Sequence, residues 1–140
     1  MRPSMLALAC AGSLLACAGS AKREASILVA AVDRYRRADS TSKPAEAQTV
    51  AAVACTDAKV CEAKRACLAA LDPTARALAL KDEVARRVTD LQEKRLEPDS
   101  PEARALPGKL DEAEKLLREG RAKMPDCEKL LTDLQMDYGV

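Results

Sequence analysis

From Glu24 to Tyr138 apolar residues recur three and four positions apart, and no alternating β-branched run extends beyond a few residues. That period predicts helices. The first spans about 24–38, with Leu28, Ala31, Val32 and Tyr35 on one face, and Asp39 to Pro44 breaks it. A second, 44–54, opens with Pro44 and Glu46, both favourable in a first turn. A third, 57–71, lines up Val60, Ala63, Cys67, Ala70 and Leu71. Asp72 then reads as an N-cap and Pro73 as the first residue of a fourth helix, 73–97, with a seam of Leu80, Val84, Val88 and Leu91. Its Asp82/Arg86, Glu83/Arg87 and Asp90/Lys94 spacings suit intrahelical ion pairs. Pro98 ends it. Ser100-Pro101-Glu102 starts a stretch carrying Leu106, Leu110, Ala113 and Leu117, which Pro107 should kink or interrupt. Pro125 marks a further break before a last helix, 126–137, with Cys127, Leu131, Leu134 and Tyr138 on one stripe. The expected fold is all-α, a small antiparallel helical hairpin or bundle with coiled-coil-like packing.

Composition makes that core thin. The aromatic residues are Tyr35 and Tyr138 alone, alanine is abundant, and Leu and Val must fill the space between closely approaching helices. Such a core buries little area, and at about 25 cal/mol per Å² it contributes little stability. Small exported chains of this kind are where covalent cross-links are expected.

The N-terminus decides whether cross-links can form. Arg2 is the only charge before Lys22, and Met5 to Ala16 is an apolar run of small residues and leucines. This is the form of a secretory signal, and the run is shorter than the roughly 20 apolar residues of a membrane span. Leu14-Leu15-Ala16-Cys17 resembles the lipobox of bacterial lipoproteins. The resemblance implies cleavage before Cys17, diacylglycerol on its thiol, and an anchor held in membrane lipid at about 0.8 kcal/mol per buried methylene. Cys10 has too little apolar sequence before it to serve. Ala18 after the cysteine resembles the pattern that sends such lipoproteins to an outer membrane. The organisation expected is a signal over 1–16, an anchor and flexible tether over 17–23, and one helical domain over 24–140. Alternatively, Ala16-Cys17-Ala18 is an ordinary cleavage site, and a soluble periplasmic adaptor is released after Ala18.

An exported chain lipidated at Cys17 keeps four further cysteines, Cys55, Cys61, Cys67 and Cys127, an even set with three connectivities. Cys67 and Cys127 lie on the apolar faces of their helices and can cross-link them. Cys55 and Cys61 inside one straight helix would stand about 9 Å apart along its axis, beyond the roughly 7 Å limit for a disulfide. A Cys55–Cys61 bond therefore requires the helix to begin after Cys55. The expected pairs are Cys55–Cys61 and Cys67–Cys127.

Chemistry beyond staples finds little support. Zinc-type and C-x-x-C spacings are missing, and soft-metal binding by Cys127 with Met124 and Met136 competes with Met136 as core filler and Met124 as loop. With no histidine there is no imidazole base or Ser-His-Asp arrangement, and the "DEAE" run at 111–114 reads as a solvated helix surface. No cofactor, metal or catalytic residue is assigned. Of 23 basic and 22 acidic residues only Arg2 lies before Cys17, so the remainder is formally neutral with signs interleaved, which argues against nucleic acid as partner. The expectation is a non-catalytic, lipid-anchored protein of the bacterial cell envelope, on the periplasmic face of an outer membrane, touching an envelope protein. In outline it resembles the small murein lipoproteins, without their terminal lysine. A thiol-based metal or redox carrier is a third reading. The seams 84/88/91 and 110/113/117 can pair with each other or across a homo-oligomer.

Overall fold

The structure, a computed structural model, describes residues 13–140, with side chains from Gly19 onward. The expected leader through residue 12 and the sulfur of Cys17 lie outside the described residues. Four helices and no strand occur among the described residues: α1 (Ser13–Arg37), α2 (Lys43–Ala52), α3 (Ala58–Gln92) and α4 (Pro101–Tyr138). The chain folds as an all-α hairpin of two long helices, α3 and α4, with α1 and α2 packed against one half of it.

Two expectations are corrected by the length of those helices. Pro73 does not start a new helix, and neither Pro107 nor Pro125 breaks α4. An internal proline removes one hydrogen bond, crowds the preceding turn and costs about 3 kcal/mol. Ala69 and Arg121, whose carbonyls lose their helical partners to Pro73 and Pro125, are exposed, so water can take those bonds. Keeping each helix continuous keeps its apolar stripe in register: Ala63, Cys67, Ala70 and Leu71 before Pro73, Ala75, Ala77 and Val84 after it. Packing overrides the local penalty.

The expected end of α3 at Glu97 is also corrected. It ends after Gln92 because Lys94 adopts φ +59°. Arg95 N then donates to Asp90 O at 2.8 Å and Lys94 N to Leu91 O at 3.1 Å, a left-handed cap that usually carries glycine. Arg95 secures it through Asp90 at 2.7 Å. Conventional caps hold the start of α3 and both ends of α4. Asp57 Oδ1 accepts from Lys59 N and Val60 N, Ser100 Oγ accepts from Ala103 N, and Gly139 closes α4 at φ +63°.

The expected flexible leash does not form. Residues 19–23 belong to α1, where alanine favours helix and Ala21 is buried. α1 runs alongside α3: Glu24 meets Thr56 at one end, and Arg36 meets Glu128 of α4 at the other. α2 returns antiparallel, from Pro44 beside Ala79 down to Val53 beside Lys64. These four segments form a base whose core holds Leu28, Val32, Tyr35, Val50, Val60, Leu71, Leu131 and Leu134. Beyond the ends of α1 and α2 the hairpin continues alone, as an arm about 20 Å long from Leu80 to Gln92. A small cluster at its start is Ala77, Ala113 and Leu116, with Leu80 and Leu117 packed against it.

Candidate interaction surface

The foot of the base is tied by polar contacts. Glu24 on α1 takes Thr56 N (2.7 Å) and Asp57 N (3.2 Å) on Oε2, and the Thr56 hydroxyl (2.6 Å) on Oε1. The Thr56 hydroxyl, then the Thr56 and Asp57 amides, hold the Glu24 carboxyl down to about 2. Tyr138 donates to Asp57 Oδ1 at 2.9 Å, and Lys59 bridges to Asp137 at 2.6 Å. These contacts fix Val53 to Thr56 outside α3, which begins at Ala58, so Cys55 can turn back to Cys61 with Cα atoms 5.3 Å apart. Cys67 and Cys127, fully buried, join α3 to α4 with Cα atoms 4.4 Å apart.

Because the folded carboxyl of Glu24 titrates below its ordinary value of 4.5, its contribution is whole above that value. It is lost as pH falls through about 2. Wild type and Glu24→Gln should therefore differ in urea midpoint at about pH 6 and converge as pH approaches about 2. A gap unchanged by pH would mean that the carboxylate does not hold the foot.

At the far end of the base, Lys43 donates to Tyr35 O and Ala38 O, both at 2.8 Å, and closes the C-terminus of α1, where a cation is favoured. Its ammonium also lies 4.8 Å from the centre of the Tyr35 ring. Burial pushes the Tyr35 phenol up; its hydroxyl has no partner of normal geometry, although Thr74 stands near enough to act on its titration. Here α3 and α4 approach closely. A Cβ on Gly120 would overlap the Thr74 hydroxyl and lie 2.6 Å from Ala70 O.

The arm has two unlike edges. On one, Lys109 bridges to Glu83 at 2.5 Å beside Arg87 and Glu102. Glu83 thus pairs across the hairpin and not with Arg87, and Asp90 takes Arg87 (3.6 Å) and Arg95 in place of Lys94. Asp82–Arg86 forms as expected, at 3.5 Å. The other edge carries Val88, Leu110 and Leu117 beside the exposed Lys81, and it is thinly covered. Val88 and Leu110, on the seams expected to pair with each other or across a homo-oligomer, are 39% and 41% exposed. Two helices alone cannot enclose both sides of their contact line.

Other sequence candidates do not converge. Met136 is 71% exposed on α4, and Met124 is half-buried within α4, which reverses the expected core filler and loop. Met136 lies about half a turn round from Cys127, so the two cannot share an ion. Asp111, Glu112 and Glu114 are exposed, with Glu112 near Arg76 and Glu114 near Arg118. Among the described residues no three His, Cys, Asp or Glu side chains gather as metal ligands, and no helix is long and apolar enough to cross a membrane. The Glu24 clamp and the close approach at Gly120 were not found from the sequence; partners so distant in the chain leave no local signal.

Fold and surface together define an all-α, disulfide-stapled hairpin with a supported base and an unsupported arm. Comparison with protein-family models, curated proteins and solved structures finds no match for this chain.

Proposed function

We propose that the protein is a non-catalytic, lipid-anchored component of the bacterial cell envelope, in which the base is held at a membrane and the arm is offered to a protein partner. The arrangement of the chain's ends carries the reading. Ser20, at the start of the described side chains, lies at the foot of the base with Thr56 and Asp57, while the arm leaves from the opposite end. Residue 17 lies within α1, so a chain cut and acylated there would have almost no slack between lipid and helix; its foot would sit against the bilayer and its arm would point away from it. The lipobox resemblance and the two disulfides, which suit an oxidising compartment, support the same reading.

Intact mass tests it. Protein purified from membranes should begin at Cys17 and carry several hundred daltons of acyl chains, and Cys17→Ser should abolish both the added mass and membrane retention (roughly two to three chains). A soluble chain beginning after Ala18 would instead identify the periplasmic adaptor. The thiol-carrier reading requires Cys55, Cys61, Cys67 and Cys127 to be reduced, and a thiol-reactive probe on the native protein separates it from both.

A further inference from the structure

The polar ties of the foot meet on one short ring of the chain. Cys55–Cys61 closes a loop with a sequence separation of 6. Within it Thr56 and Asp57 hold Glu24 of α1, Asp57 also holds Tyr138 of α4, and Lys59 holds Asp137 of α4. Apart from the Glu24 contacts themselves, little else turns the chain there. Lys64 Nζ donates to Val53 O at 2.7 Å and the Val53 side chain is buried, but both act before the turn. Among the described residues Ala54 and Cys55 make no backbone hydrogen bond. The disulfide and the packing of Cys55 against the core are what bring Thr56 and Asp57 to Glu24. The two disulfides also differ in access. Cys67 and Cys127 are fully buried in mid-helix, so a reductant reaches them only if α3 and α4 part. Cys55 and Cys61 are half-buried, one in a loop and the other in the first turn of α3.

We infer that Cys55–Cys61 is an exchangeable disulfide that sets how firmly α1 is gripped, while Cys67–Cys127 keeps the hairpin shut in either state. Its reaction partner is a dithiol, free or carried by a thiol–disulfide oxidoreductase. One thiolate of the dithiol attacks a sulfur of the Cys55–Cys61 bond, and the other sulfur leaves and takes a proton. The second thiolate of the dithiol then attacks the mixed disulfide, which frees the remaining cysteine as a thiol and leaves the dithiol oxidised. Two electrons and two protons pass to the chain. In the open state no covalent bond bends Cys55 back onto α3, so Thr56 and Asp57 can leave Glu24, and the first turns of α1 lose their hold on the base. A short ring contributes less to the whole fold than a long one, so opening it frees the foot and leaves the hairpin folded. In a chain anchored at Cys17 the change turns a rigid mount into a slack one.

This device deepens the anchored reading and rests on it for what α1 carries, but the mass at Cys17 reports anchoring separately. The test treats the full chain, as the cell processes it, with dithiothreitol in the absence of denaturant, followed by alkylation and peptide mapping. Cys55–Cys61 should open at least about a hundredfold faster than Cys67–Cys127, with unchanged helical circular dichroism. In the reduced chain the amides of Thr56 and Asp57 should undergo hydrogen exchange at least about tenfold faster. Glu24→Gln, which shifts the urea midpoint of the oxidised chain, should shift that of the reduced chain by less than about half as much. Cys55→Ser with Cys61→Ser should reproduce both effects without reductant. Bonds that open together, in the reverse order, or only once urea unfolds the chain overturn the assignment. A reduced or serine-substituted chain whose foot stays equally protected, or equally sensitive to Glu24→Gln, overturns it too.

Discussion

Removing the Cys67–Cys127 bridge, by Cys67→Ala with Cys127→Ala, is expected to lower stability by about 4 kcal/mol, read as a fall in urea midpoint. The bridge closes a loop with a sequence separation of 60. Loop-closure entropy alone gives about that figure, whereas the short Cys55–Cys61 loop gives about 2. For a domain of this size the whole stability is about 5–15 kcal/mol, so the long bridge is a large share of it. The reason lies in the core. Leu28, Leu71 and Leu134 are its largest fully buried apolar side chains, and no Phe or Trp supplements them. Both cysteines must be replaced together, since a single free thiol could exchange with Cys55–Cys61. If the paired alanines cost less than about 1 kcal/mol, the bridge is a passive ornament of a core that is sufficient alone.

Gly120→Ala provides the second large effect, and its sign is diagnostic. In the middle of a helix alanine is normally favoured over glycine by about 1 kcal/mol. Here the added methyl would overlap the Thr74 hydroxyl, itself bonded to Ala70 O at 3.0 Å, and press on the Ala70 carbonyl. The hydroxyl can rotate away; the backbone carbonyl cannot without parting α3 from α4. The net expectation is a loss of about 2 kcal/mol, within the usual range for overpacking. Paired with Thr74→Ala, the loss should shrink but not vanish, because Ala70 O remains. A stabilised Gly120→Ala would show that the helices do not approach so closely.

The sequence carries the faces better than the ends. Leu28, Ala31, Val32 and Tyr35 are all buried, as are Val60, Ala63, Cys67, Ala70 and Leu71, because helical period reports burial directly. Caps at Asp57 and Ser100 are also legible, since a capping side chain acts within three residues. Continuity through Pro73 and Pro125 is not, because local propensity favours a break and only the opposing helix outweighs it. Lys94 in a left-handed cap defeats the rule that expects glycine there. Glu24 reaches Thr56 across two loops and one helix, and nothing near either residue announces it. Val88 and Leu110 show the limit of pattern reading. Period places them in a seam, but whether a third element covers that seam is decided by where α1 stops.

All of this presumes export into a compartment that oxidises the chain, and one tryptic peptide map of the cell-derived protein, made without reductant, reads that step directly. Cleavage after Lys59, Lys64, Arg65 and Lys123 puts the four cysteines on four separate peptides. The map should show the Cys55 peptide joined to the Cys61 peptide, the Cys67 peptide joined to the Cys127 peptide, and no free thiol among them. Four unlinked peptides, or Cys127 joined to Cys55 or Cys61, would contradict it.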